Sequence, residues 1–525
     1  MGFYRSLWLG ASAFVLSSCG GEDSPAPKPS PAPSPPLGSL PVTLSATSAN
    51  ISLAEGESAS LTFNATYSGS SSDPVIADVQ INGRRILLDG APSVSDKTFT
   101  VGLETVPFPA GGRSDVTVTF RLCKTSACNT VYGGSTKVFT IDLNVELSDW
   151  MTLQRNASHT GYVAARYNVV DFKQVWSADD FVLAANGIAA TRGGVFATVM
   201  NNAGEILQRR IDPANGSKMW TYSLVPARYM SAPFYANGLV ASMAMDNSSG
   251  EIPMQVLNAQ DGRYRTTISY ASQFSPGGTP TPFDGKIYFQ AGYFGNVVYG
   301  ADPMSGNKLW ETDTTERGRG YVMEGQSVGV DTNSVYYFGG GDLVILSRAT
   351  GAETKRIPNP FFSRFGTSYS GTYAGGPILD GEGRIFTFTD NRGENQPRAL
   401  MAWSVDSSAP LWRSANTYVD DPAYHAGRLY APRANSAVVD VLDATNGSII
   451  RSIAMSSGSE NLQSNVVLTE RHMFVATDST TYAIDLSQSG DPVVWSAPFG
   501  GELAITPDNL LVVIGQKSIR GYALF

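Results

Sequence analysis

Residues 211–220 read IDPANGSKMW, and residues 301–310 read ADPMSGNKLW. Each phrase sets an aspartate second, a glycine four positions after it and a tryptophan eight positions after it. That is the chemistry of a turn: the aspartate side chain bonds its own backbone, and glycine accepts the positive φ that other residues resist. Worn copies begin at 257 (LNAQDGRYRT), 346 (LSRATGAETK) and 442 (LDATNGSIIR), where Thr266, Lys355 and Arg451 stand in the tryptophan's place. Ser404, Ser408 and Trp412 keep the spacing without glycine, and Asp485, Gly490 and Trp495 carry a small insertion. Each phrase reads as the tip of a β-hairpin.

A second hairpin signal precedes each phrase, a turn followed by an aliphatic-aromatic strand, as in Gly194-Val195-Phe196, Gly285-Lys286-Ile287-Tyr288 and Gly427-Arg428-Leu429-Tyr430. Two hairpins in about 45 residues make a four-stranded propeller blade. The last repeat stops after Ile519 to Phe525, before its turn and outer strand, while Lys173 to Trp176 offers a strand with no hairpin of its own. The prediction is an all-β chain whose residues 148–525 form eight blades, closed by pairing the two ends of the repeat region. Such closure removes a free sheet edge.

The turn phrase ending in tryptophan, together with DWMTLQRNASHTGY at 149–162, resembles the pyrroloquinoline-quinone-type repeat propellers over residues 149 to 525. The resemblance implies that Trp176, Trp220, Trp310, Trp412 and Trp495 dock one blade on the next, and that packing is looser where Thr266, Lys355 and Arg451 replace them. That superfamily holds quinone-dependent alcohol dehydrogenases and non-catalytic scaffolds, among them an outer-membrane lipoprotein that helps insert β-barrels. The adjacent cysteine pair found in many of the dehydrogenases is missing here, so no cofactor is expected.

Ahead of the propeller, residues 42–147 alternate apolar and polar side chains with turns at Asn82-Gly83 and Gly133-Gly134. Period-two alternation over about seven strands fits a β-sandwich of immunoglobulin-like type. Cys123 and Cys128 lie five positions apart and are expected to form a disulfide; a metal or redox pair would need a third ligand or a Cys-x-x-Cys spacing.

The third cysteine, Cys19, follows Leu16-Ser17-Ser18 after an apolar run and precedes the proline-rich tract 24–41. Residues 16–19 resemble the lipobox of bacterial lipoproteins. The expectation is a signal peptide over 1–18, lipidated Cys19 with a semi-stiff linker over 19–41, and an exported protein anchored to the cell envelope, at the outer membrane. The rival signal, Gly2 in MGFYRS as a myristoylation site, leaves the apolar run unexplained.

With a formal charge of -9 and no basic stripe, the chain is unsuited to nucleic acid. Three histidines supply no catalytic triad or metal cluster. His159 is expected to pack or cap the closure, and the loop DNRGEN, Asp390 to Asn395, to be solvated rather than a calcium site. The blade-to-blade connections gather Arg228, Tyr229, Arg317, Arg319, Tyr321, Phe361, Phe362 and Arg364, and arginine beside aromatics is the composition of protein hot spots. The expected function is a non-enzymatic, lipid-anchored envelope scaffold that binds a protein partner through this loop face. The alternatives are a quinone-dependent dehydrogenase and a polysaccharide-binding surface module.

Overall fold

The structure, a computed structural model, describes residues 38–224, 229–245, 250–273, 278–293, 297–313, 327–338, 341–361, 375–389, 398–455 and 460–525. The leader, Cys19 and most of the proline-rich tract fall outside them. The described residues build strands throughout, with one 3-10 turn at Val169–Asp171. Among them no helix is long and apolar enough to cross a membrane.

Two sheets form the N-terminal sandwich. Strands Val42–Leu44, Ser60–Tyr67, Thr98–Thr105 and Ile86–Leu88 make one, with Ser93–Ser95 beside Thr98–Thr105. Strands Ser48–Ala54, Lys137–Glu146, Gly112–Cys123 and Ile76–Asn82 make the other. Alternation places Phe63 and Val101 of the first sheet against Phe120, Phe139 and Ile141 of the second, in one buried cluster. Phe63 and Phe139 stack with ring centroids 4.7 Å apart. Cys123 and Cys128 are joined, with Cα atoms 5.0 Å apart.

Eight blades follow among the described residues, and blades 2 and 3 join into one eight-stranded sheet where Tyr264–Gln273 runs parallel to Lys286–Tyr293. The innermost strands of blades 1 to 7 are Ala189–Thr191, Phe234–Ala236, Thr281–Phe283, Gly329–Val330, Ile378–Leu379, Ala423–His425 and Val467–Thr469; that of blade 8 is Glu502–Ile505. The outermost strand of blade 8 is Lys173–Ala178, antiparallel to Ser518–Ala523. The ring therefore closes by joining strands that lie more than 300 residues apart in the chain.

The turn phrases explain how blades stack. The indole N–H groups of Trp176, Trp220, Trp310 and Trp412 donate to the carbonyls of Pro213, Ala259, Arg348 and Ala444, at 2.8, 3.0, 3.0 and 3.0 Å. Each acceptor follows the polar landmark of the next blade's turn. The turn glycine serves twice. Gly351 holds φ +71, and a Cβ there would lie 2.5 Å from the Trp310 ring.

The joints without tryptophan are held by other chemistry rather than left loose. Lys355 Nζ donates to the carbonyl of Val405, the residue after landmark Ser404, so it meets the acceptor an indole would have used. Arg451 Nη2 donates to Asp491 in the next turn at 3.1 Å. Thr266 Oγ1 reaches the Ser305 carbonyl at 3.4 Å. At the closure, Trp495 packs edge-on to Phe172 and Tyr522, with centroids 5.7 and 5.3 Å away.

Candidate functional site

A ring of blades leaves an axis, and in this molecule residues 149–162 occupy it. The segment lacks apolar periodicity, so it forms no long element of its own and spends its polar groups on its surroundings. It visits the innermost strands in ring order. Trp150 exchanges backbone hydrogen bonds with Ala190 of blade 1 at 2.9 and 2.7 Å, and Tyr235 of blade 2 donates to the Met151 carbonyl at 2.8 Å. Thr152 Oγ1 donates to the carbonyl of Pro280 at the start of blade 3, at 2.8 Å. Val330, Leu379, Tyr424 and Leu468 of blades 4 to 7 then donate to Ala157, Ser158, Thr160 and Gly161, at 2.9, 2.9, 2.8 and 2.7 Å. Blade 8 is reached indirectly: Asn465 Nδ2 donates to Gln154 Oε1 at 2.7 Å and to the Leu503 carbonyl at 2.9 Å.

Side chains complete the plug. His159 is buried, its Nδ1 3.0 Å from the Pro377 carbonyl and its Nε2 3.3 Å from Thr281 Oγ1. Burial lowers its pKa to about 4, against the opposing pull of the Pro377 carbonyl, so the ring is neutral at pH 7. Gln154 Nε2 donates to the carbonyls of Pro422 and Val466 at 3.0 and 3.1 Å.

The sandwich holds the plug from outside the ring. Arg155 donates to Glu55 and to the Tyr162 carbonyl. Glu55 also accepts the N–H groups of Ser148 and Ala164, at 2.8 and 2.7 Å. Burial alone would raise the Glu55 carboxyl; Arg155 and the two N–H groups together hold it below its ordinary value. Beside them, burial raises Asp149 to about 6 although Arg155 and Arg192 pull it down.

The remaining histidines lie in other packing contacts. His425 stacks on Tyr162, centroids 3.9 Å apart. His472 packs against Phe172 at 5.6 Å with neither ring nitrogen hydrogen-bonded, and burial lowers it to about 4. Asp78 lies within 4.8 Å of the cysteine sulfurs, but the cysteines bond each other and Asp78 accepts from Arg121 at 2.6 Å.

Of the eight loop residues proposed to grip a partner, Arg228, Arg317, Arg319, Tyr321, Phe362 and Arg364 lie outside the described residues, as does DNRGEN. Tyr229 pairs with Met245 in a short two-stranded piece. Phe361 is half exposed, with the Arg413 guanidinium 4.9 Å above its ring. Sequence reading missed the plug's role, since its partners are backbone groups scattered over eight blades. The one available signal was a run rich in Gln, Asn, His and Thr with no apolar period.

The sequence family described as "Outer membrane protein assembly factor BamB" matches residues 160–453. No curated protein matches the chain. Similar solved structures include quinohemoprotein alcohol dehydrogenases of Pseudomonas putida and Comamonas testosteroni. Each is 12% identical over 72% of this chain and 80% of that chain, with TM-scores of 0.48 and 0.49. Sqt1 of Saccharomyces cerevisiae is 9% identical over 67% of this chain and 98% of its own, with a TM-score of 0.48. The expectation of a non-enzymatic, lipid-anchored scaffold working through the loop face is corrected: a propeller does not fix a function, and the family match over residues 160–453 supplies no ground for "non-enzymatic".

Proposed function

Because the chain belongs to the family of the outer membrane protein assembly factor BamB, we propose that it binds extended protein segments along the outer perimeter of its ring. The observation that carries this reading is a repeated apolar position. Val175, Met219, Leu309, Leu411 and Ile450 each directly precede a docking residue, and each is between 38% and 49% exposed. Strand alternation turns them away from the docking side, and they sit on or beside the outermost strand of their blades, which has no strand paired on its far edge among the described residues.

Open strand edges beside spaced apolar side chains suit a partner that adds its own strand: backbone hydrogen bonds supply affinity, and alternate side chains supply selectivity. The family's description names an assembly factor for outer membrane proteins, whose spanning strands are of that alternating kind. The test is a urea-unfolded outer-membrane β-barrel protein, fluorescently labelled and diluted into the propeller, followed by anisotropy. Met219→Glu, Leu309→Glu, Leu411→Glu and Ile450→Glu combined should weaken binding about tenfold or more; unchanged affinity with intact far-UV circular dichroism removes the perimeter as the site.

The reading also takes the protein as exported and lipidated at Cys19, on residues 16–19 alone. Cys19→Ser should abolish incorporation of labelled palmitate in cells, and unchanged labelling removes the anchor.

A further inference from the structure

A cavity of about 500 Å³ opens where the sandwich meets the propeller, away from both the axis and the outer perimeter. Four of its lining residues are arginines: Arg84 and Arg85 from the sandwich, Arg166 from the connection, and Arg471 from the inner turn of blade 7. We infer that this cavity binds a small amphipathic carboxylate, its head between Arg85 and Arg166 and its apolar body against Leu87, Val106 and Phe525.

Charge accounting points there. Two arginines are already neutralised: Arg84 Nη1 meets both oxygens of Asp171 at 2.9 and 2.7 Å, and Arg471 Nη2 meets Asp485 at 2.8 Å. The lining acid Glu470 accepts from the Tyr162 hydroxyl and lies 3.8 Å from His425 Nε2, whose pKa burial lowers, so Glu470 keeps its charge but pairs with neither remaining arginine. That leaves Arg85 and Arg166 without a carboxylate among the described residues.

Arg85 is the telling one. It is 4% exposed, and its two Nη groups donate to the carbonyls of Gly111 and Gly112, at 2.7 Å each. Its Nε–H has no acceptor, and its guanidinium lies 4.2 Å from the centroid of the Phe525 ring. Burying a guanidinium against neutral groups alone is unfavourable, and burial duly lowers its pKa. An anion in the adjoining cavity would supply the missing charge. Arg166 stands at the mouth, exposed and 5.6 Å over the Phe108 ring, free to close on a bound head group.

The apolar side of the cavity explains the ligand's body. Leu87 and Phe525 are 45% and 49% exposed, large side chains that a polar anion such as free phosphate would leave in water. The volume suits a small molecule. The shared chemistry, a carboxylate on an apolar body, fits a medium-chain fatty acid or the C-terminus of a short apolar peptide.

Isothermal titration of the full-length protein decides between these sources. Decanoate is compared with decanol, and acetyl-Leu-Phe as the free acid is compared with its amide. Binding of either acid, with at least tenfold weaker binding of its neutral partner, is the expected result, and the acid that binds identifies the source. Arg166→Glu should weaken that acid about tenfold, the loss of a hydrogen bond to a charged group. Arg263→Glu, also exposed but on a distant turn, should leave it unchanged. The inference is overturned if neither acid binds, if neutral and acid forms bind alike, or if the two arginine variants weaken binding equally.

Discussion

The joint between blades 3 and 4 and the joint between blades 4 and 5 present the same carbonyl, one residue past the landmark of the following turn. Trp310 answers the first with an indole N–H and a flat ring seated on Gly351; Lys355 answers the second with an ammonium on a flexible stem. The hydrogen bond survives the exchange, while the ring and its seat do not. What is fixed by the architecture is therefore an acceptor needing a donor. The apolar contact is an addition that some joints carry and others lack.

That comparison breaks most visibly at Trp310. Trp310→Ala removes donor and ring together and should cost roughly 4 kcal/mol, read as a shift in the urea midpoint. Gly351→Ala keeps the tryptophan but sets a Cβ 2.5 Å from its ring at φ +71, a loss of about 3 kcal/mol in the same assay. An equal response to Lys355→Ala would show that the ring adds nothing; the expected loss there is only about 1 kcal/mol.

The closure joint adds a dependence on pH through a buried histidine. His472 packs on Phe172 beside Trp495, and its folded pKa of about 4 lies below the ordinary histidine value. The unfolded chain takes up the proton first on acidification, so this stabilisation is complete above the unfolded value and is lost as pH falls from about 6.5 towards 4. At pH 5 the loss is roughly 2 kcal/mol. His159 acts in the same sense, and Asp149, raised to about 6, acts in the opposite one. His472→Phe should shrink the difference in melting temperature between pH 7 and pH 5; an undiminished difference assigns the acid sensitivity elsewhere. The smallest effect is expected from Thr266→Trp, which restores the donor and ring at the joint between blades 2 and 3. A change within about 1 kcal/mol in either direction fits, and a loss as large as that of Trp310→Ala would show that the joint is shaped against a ring.

The blades were legible because their signals are local: a polar landmark, glycine and tryptophan lie within nine residues, and each carries its own reason for the turn. Lys355 and Arg451 were visible as departures, but which atom each would reach depends on the following blade's backbone. Residues 149–162 were quoted as a family mark without their role, since Trp150, Thr152, Ala157 and Gly161 bond to segments about 40 to 310 residues away. Glu55 and Arg155, a hundred positions apart, gave no sign in sequence of the ion pair that fastens the sandwich to the axis. The arginines of the seam were equally scattered, one turn of the sandwich and one turn of blade 7 supplying three of them.

The axial segment is made early and completed late. Its first anchor, Ala190, leaves the ribosome soon after it, but Leu468 and Asn465 follow only some 300 residues later, and Ser518–Ala523 must appear before Lys173–Ala178 gains a neighbour. A nascent chain therefore carries a polar thread and an orphan strand through most of its synthesis, and contacts this distant in sequence slow the final step. The molecule should mature in one late event after the last blade emerges, not by adding finished blades one at a time.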